Sequence, residues 1–338
     1  MIRTTGWLVC TALLLVGLAG CGKEQQAPET PSTAPTGGVS SSAQVTTADL
    51  DKVVRSNKPF KLVLIVKTRN NPFFDPMIKA AEAEAKALGV ELQVQAPEQE
   101  TYKEKQFALV QQMITSGVDA ILISPADSKG IVPALRQAQD KKILVINLDN
   151  RVDADTARIA GVKLSGYVGA DNEEGGKLAG QAMVSVLPPN ASVAIIEGIR
   201  GANNAEARKT GFETAVKGKL VIDARESADW DMNEANQKAQ SILVAHPQLK
   251  GIFCANDMMA IGAIKAVLQS GKKGQISIIG YDNIPAVQAY LKTGELNATI
   301  EQHPDQMGKY GVRMAVGVLT KTLKTGGECM VQLDVMKK

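Results

Sequence analysis

The sequence has little of what most enzymatic and metal chemistry needs. It holds two histidines, His246 and His303, far apart and each followed by proline, so neither a metal pair nor a histidine-centred triad is signalled. Its four cysteines, Cys10, Cys21, Cys254 and Cys329, show no zinc-ligand spacing. The phosphate loop G-x-x-x-x-G-K-[ST] is absent. Net charge is only +3, with lysine and arginine spread among acids, and no basic stripe with interleaved aromatics marks a nucleic-acid surface. The apolar stretch at residues 7–19 is too short to span a bilayer comfortably. The expectation is therefore a protein with no catalytic centre, metal, cofactor or nucleic-acid partner.

What is present begins with an export signature. Arg3 precedes the apolar stretch, which has the shape of a signal peptide and ends in L-A-G-C at Cys21. That ending resembles the lipobox of bacterial lipoproteins, in which cleavage makes the cysteine the new N-terminus and its thiol carries lipid. Removing residues 1–20 deletes Arg3 and no acid, taking the charge from +3 to +2. Residues 22–48 are rich in Pro, Ser, Thr, Gly, Gln and Ala, too polar to pack. The reading is a signal peptide at 1–20 and a lipidated flexible linker at 21–56. Cys254, in G-I-F-C-A, reads as a small buried hydrophobe, and a Cys254–Cys329 bridge is open to an exported chain but not required.

The chain of 338 residues is long enough for two domains. From residue 59 short apolar runs alternate with amphipathic stretches. K-L-V-L-I-V-K, a helix from Asp75 to Leu88, V-E-L-Q-V, a helix from Tyr102 to Ser116, A-I-L-I-S, a helix from Ile131 to Asp140 and I-L-V-I-N make one series. After G-A-D-N-E-E-G-G and a helix through Leu187, S-V-A-I-I-E-G opens a second, continued by K-L-V-I-D, G-I-F-C-A and I-S-I-I-G. This rhythm means right-handed βαβ units, hence an α/β protein of two Rossmann-like lobes with parallel sheets.

Ligands of such sheets bind beyond the carboxyl ends of the strands, and the unusual polar and aromatic clusters fall there. They are N-N-P-F-F with Asn70, Asn71, Phe73 and Phe74, L-D-N-R with Asp149, G-A-N-N-A-E-A-R closing on Arg208, and S-A-D-W-D around Trp230. A-N-D with Asn256 and Asp257, G-Y-D-N with Asp282, and T-I-E-Q-H-P with Gln302 complete the set. Asp171 and Asp257 serve equally well as helix N-caps, Arg208 as a surface ion pair and Trp230 as a lid on the sheet. Taken together, though, aromatic faces beside carboxylate, carboxamide and guanidinium groups suit a neutral polyhydroxyl compound. C–H faces pack on rings, while hydroxyls both donate and accept.

These clusters, in this order, resemble the ribose-type periplasmic sugar-binding proteins, relatives of the lac-repressor ligand-binding core. T-R-N-N-P-F-F, I-S-P-A-D-S, G-A-D-N-E-E-G-G-K-L-A-G, A-N-D-M-M-A-I-G-A, G-Y-D and A-T-I-E-Q-H-P-D-Q-M-G carry the resemblance, which spans nearly everything after residue 58. It implies two lobes joined by a three-strand hinge, with crossings near Ala170–Asp171, Gln302–His303 and Gln332–Leu333. Lobe one would hold residues 57–170 and 303–332, and lobe two 171–302 and 333–338. It also implies sugar contacts at Asn71, Phe73, Phe74, Asp149, Arg208, Trp230, Asn256, Asp282 and Gln302. The tenth position, Asn150, stands where ribose binders have arginine. Trp230 stands where they have phenylalanine, and the chain from Arg151 to Gly166 is longer, so a hexose, deoxy-sugar or sugar alcohol is the expectation.

The implied function is that of a monomeric, lipid-anchored receptor delivering a small neutral sugar or polyol to an ABC permease and its ATPase. A sensory receptor serving a chemoreceptor or histidine kinase would use the same closed-lobe surface. A glycoside hydrolase would need two of Asp149, Asp257 and Asp282 flanking the scissile bond at a set separation, and no residue stands out as its acid.

Overall fold

The computed structural model describes residues 44–324 and 326–338; the expected signal peptide and Cys21 lie outside them. The first series folds as α1 (Thr47–Leu50), β1 (Lys61–Ile65), α2 (Phe74–Leu88), β2 (Glu91–Gln95), α3 (Lys103–Ser116), β3 (Ala120–Ile123), α4 (Val132–Asp140), β4 (Leu144–Leu148), α5 (Ala154–Ile159) and β5 (Gly166–Gly169). The second is α6 (Asn172–Val186), β6 (Ser192–Glu197), α7 (Asn203–Val216), β7 (Val221–Ser227), α8 (Met232–Ala245), β8 (Gly251–Cys254), α9 (Asp257–Gln269), β9 (Ser277–Ile279), a 3-10 turn (Pro285–Val287), α10 (Gln288–Thr293) and β10 (Thr299–Glu301). The chain then returns through α11 (Pro304–Leu319), β11 (Gly327–Met330) and β12 (Asp334–Met336).

Two lobes result. The first sheet runs β11-β5-β4-β3-β1-β2 and the second β7-β6-β8-β9, every pair parallel. Buried on both faces by helices, the central strands are continuous apolar runs such as Leu62–Ile65 rather than alternating ones. β10 and β12 pair antiparallel, and Gly280 N–H donates to Ala298 O at 2.9 Å, joining that pair to the β9 edge. Strand order reverses between β1 and β3 in one sheet and between β6 and β8 in the other, and the crevices at those points face each other. In lobe two, α6 and α7 lie backbone to backbone: a Cβ on Gly176 would stand 2.1 Å from Arg208 O. Glycine there fixes how deep α7, and Arg208 with it, can sit.

The chain passes between lobes three times: from β5 into α6, from β10 into α11, and from β11 into β12. His303, at the second passage, has φ 53°.

One boundary differs from expectation. The linker, expected to continue to residue 56, is ordered from residue 44. Thr46 and Asp49 form a capping box, Val45 N–H donates to Glu328 O at 2.9 Å, and Leu50 and Val53 are buried in lobe one. Asp51 pairs with Lys309 at 3.1 Å and Arg313 at 3.5 Å on α11. Few apolar residues in a polar stretch suffice when they reach a preformed groove. Cys254 and Cys329 are buried free thiols. Among the described residues no helix is long and apolar enough to cross a membrane.

Candidate functional site

Past β1 the chain turns through T-R-N-N-P-F-F. Asn71 Oδ1 accepts from Phe73 N–H at 3.1 Å, which sets the turn, and Asn71 Nδ2 donates to Glu100 Oε1 at 2.9 Å. The Phe73 and Phe74 rings meet edge to face, centroids 5.1 Å apart. Beyond β4, Asp149 sits at φ 55°, a conformation that Asp tolerates better than most residues. Ser124 Oγ donates to its Oδ2 at 2.7 Å, and Tyr167 OH to its carbonyl at 2.8 Å.

Lobe two supplies the opposite wall. Arg208 uses its whole fork: Nε donates to Asn172 Oδ1 at 2.8 Å, Nη1 to Ala255 O at 2.8 Å, and Nη2 to Gln302 Oε1 at 2.9 Å. Its guanidinium lies 3.8 Å from the Tyr281 ring centroid and 3.5 Å from Asp282 Oδ1. Gln302 Nε2 donates to that same carboxylate at 2.6 Å. Asn256 caps α9 through Met259 N–H. Trp230 sits in a turn where Asp229 and Trp230 have φ 47° and 70°. Its indole lies on Gly198, where a Cβ would come within 2.1 Å of the ring, so only glycine admits the indole at this depth.

Between these walls lies a small cavity. Asn71, Phe73, Phe74 and Asp149 face Arg208, Trp230, Asn256, Asp282 and Gln302 across it. Asn150, expected beside them, does not line it. Its Nδ2 donates to Pro125 O at 2.8 Å and its Oδ1 accepts from Asn204 N–H at 3.0 Å, so the carboxamide is taken up by backbone. Arg151, the next candidate for a forked donor, forms a two-bond pair with Glu328, 3.1 Å for each bond, and also misses the cavity.

Residues 62–323 match the periplasmic binding protein domain. The chain belongs to that family. The binding protein is 37% identical over 262 residues to the D-ribose/D-allose-binding protein of Pseudomonas aeruginosa, covering 77% of this chain and 82% of the relative. It is 33% identical to the D-allose-binding periplasmic protein of Escherichia coli, covering 75% of this chain and 82% of that one. A solved ABC-transporter solute-binding protein of Actinobacillus succinogenes with bound D-allose superposes with a TM-score of 0.78 at 37% identity, over 82% of this chain and 98% of the other.

The binding protein's cavity also holds three residues that sequence reasoning missed: Lys67, Glu100 and Asn204. Lys67 closes K-L-V-L-I-V-K and reads there as a strand-end lysine. Its Nζ instead lies 3.8 Å from Asp149 Oδ2, 3.9 Å from Glu100 Oε2 and 5.6 Å from the Trp230 ring centroid. Glu100 lies in the loop after β2, and no motif marks it. Burial pushes its pKa up, opposed chiefly by Lys67, and pushes Asp282 well up against the pull of Arg208. Two cavity-wall residues carry buried polar atoms without a partner among the described residues, Trp230 Nε1 and Asn204 Oδ1. Each such atom costs about 1–3 kcal/mol until something pairs with it.

Asp257 and Asp171, weighed above as caps or contacts, lie outside the cavity. Asp171 caps α6. Asp257 Oδ1 accepts from Tyr281 N–H at 3.0 Å and Thr299 Oγ1 at 2.8 Å, and its Oδ2 from Ile284 N–H at 3.0 Å, so it ties down the loop bearing Asp282.

Proposed function

We propose that the protein is the exported receptor of an ABC sugar importer and closes its lobes on one neutral aldose, D-allose or D-ribose. The carrying observation is the cavity itself, with two phenylalanine rings and an indole framing carboxylates, carboxamides and a guanidinium from both lobes. The unpaired Trp230 Nε1 and Asn204 Oδ1 suit a ligand that donates and accepts. Relatives whose names specify D-allose and D-ribose support the choice of sugar. The departure at Asn150 argues less against ribose than its position in the sequence implies, because that side chain does not line the cavity.

Sugar held on one lobe favours the closed state by the contacts that the other lobe adds, and a ligand shifts the equilibrium only by that difference. Closed lobes would then dock on a permease that takes up the sugar unchanged, with the monomer held at the membrane by lipid on Cys21. Asn71, Phe73, Phe74, Asp149, Arg208, Trp230, Asn256, Asp282 and Gln302 are the proposed sugar contacts.

Titration calorimetry with D-allose, D-ribose and D-glucose tests the reading. The expected result is binding at micromolar or tighter dissociation constants to D-allose or D-ribose, with D-glucose at least tenfold weaker. Failure of all three to bind would overturn it. Mass spectrometry of the membrane-extracted protein would show a diacylglyceryl mass on Cys21 if the anchor is as proposed.

A further inference from the structure

Three of the four long helices of lobe two carry their own N-caps. Asp171 caps α6, Asp231 caps α8 and Asn256 caps α9, each through its own side-chain oxygen. The fourth, α7, has Ala202 at the N-cap position and no side-chain cap bond. Its first amides are not idle, however. Asn203 N–H donates to Ser128 Oγ at 3.1 Å and Asn204 N–H to Asn150 Oδ1 at 3.0 Å. Both acceptors belong to lobe one, in the loops after β3 and β4. The geometry points to a split cap: Ser128 and Asn150 are positioning residues that cap α7 from the other lobe, and only when the lobes are closed.

The lobe-one half is built for this. Asn150 Nδ2 donates to Pro125 O at 2.8 Å and reaches Ser128 Oγ at 3.3 Å, which turns Oδ1 toward α7. Asp153 N–H donates to Ser128 O at 2.8 Å, holding that loop. The lobe-two half feeds the cavity. Asn204 lends its backbone to the cap while its side chain lines the cavity, and Arg208 follows one turn later on α7. Opening exchanges two protein acceptors for water. Closing restores them, and the gain belongs to the closed state without any contact to sugar. In this way the cap adds to apparent affinity and slows release.

This inference rests on lobe closure as proposed above, so its test separates the two. Amide exchange at Asn203 and Asn204, followed by NMR, is measured without sugar and with saturating D-allose, alongside D-allose dissociation by Trp230 fluorescence. Without sugar, both amides exchange freely in the wild-type protein. With D-allose they are protected, and Ser128→Ala and Asn150→Ala lose that protection and release sugar about fivefold faster. Because Asn150→Ala also frees Pro125 O and could loosen its loop, Ala202→Ser supplies a second approach. It gives α7 a cap in the open state as well, so it should raise the sugar-free melting temperature and still weaken D-allose binding a few-fold. Stronger binding in Ala202→Ser, or wild-type release rates in both alanine variants, would overturn the split cap. So would sugar-free protection of the two amides equal to that of mid-α7. If D-allose fails to bind the wild-type protein, the functional reading falls, while free or protected exchange in the sugar-free protein still decides for or against the cap.

Discussion

Two cavity residues show how one side chain can serve binding or stability. Trp230 is held in a left-handed turn against Gly198, its indole facing Lys67 from the other lobe at 5.6 Å. Trp230→Ala removes a stacking face and a free N–H donor, and D-allose affinity should fall at least tenfold, or about 1.4 kcal/mol; unchanged calorimetric affinity would take Trp230 out of the site. Arg208 differs because three of its bonds go to the protein itself. Arg208→Ala would leave Asp282 buried without its cation, and the sugar-free protein should lose about 3–5 kcal/mol in urea unfolding. A loss confined to sugar binding would mean that Arg208 has no structural share. Trp230 was legible in the sequence because a tryptophan between two aspartates is a poor address for a core residue, whereas Arg208, which reads equally as a surface ion pair, was marked only by the resemblance. Lys67 and Glu100 were not legible: a lysine at a strand end and a glutamate in a loop are the commonest surface residues, and only folding brings them within 3.9 Å of each other.

At the scale of elements, the βαβ rhythm was readable because long amphipathic helices separate the apolar strands. α5, β5, β10 and β12 went unread, being three to six residues long and, for G-Y-V-G at β5, lacking any hydrophobic period. The β10 connection depends on Asp257, whose carboxyl gathers the 281–284 loop and Thr299. Burial raises its pKa from 3.8 to about 7, with the hydrogen bonds it accepts pulling the other way. A carboxyl with a raised folded pKa binds its proton more tightly when folded. Its contribution is complete below the unfolded value and is lost as pH rises through the folded one. The burial of Glu100 and Asp282 acts with the same sign. Stability should therefore fall between about pH 4 and pH 7, with Asp257 responsible for of the order of 3 kcal/mol. Urea midpoints at pH 4.5 and 7.5 check this. Asp257→Asn lowers stability throughout but flattens the slope, and an unchanged slope would assign the pH dependence elsewhere.

For the whole molecule, the two-lobe plan was visible in the restart of the series, but the segment that locks lobe one was not. Residues 44–56 read as linker because Leu50 and Val53 are isolated apolar residues in a polar stretch, with no period to declare them. Folding supplies the partner surface: Arg313 Nη1 donates to Leu50 O at 3.1 Å, and α11 receives Asp51 through Lys309 and Arg313. Fully burying side chains such as Leu50 and Val53 is worth about 1.5–3 kcal/mol each, an upper estimate since the unfolded chain already hides some apolar surface. The exposed ion pairs add little. A chain beginning at residue 57 should thus lose about 3–5 kcal/mol of lobe-one stability relative to one beginning at residue 44. Because the hydrogen bonds and ion pairs described for the segment run to lobe-one residues outside the cavity, D-allose affinity at 25 °C should stay within twofold. Equal urea midpoints for the two chains would return residues 44–56 to the tether. A loss of affinity without loss of stability would instead make the segment part of the hinge, acting through Glu328, which accepts from Val45 N–H and pairs with Arg151.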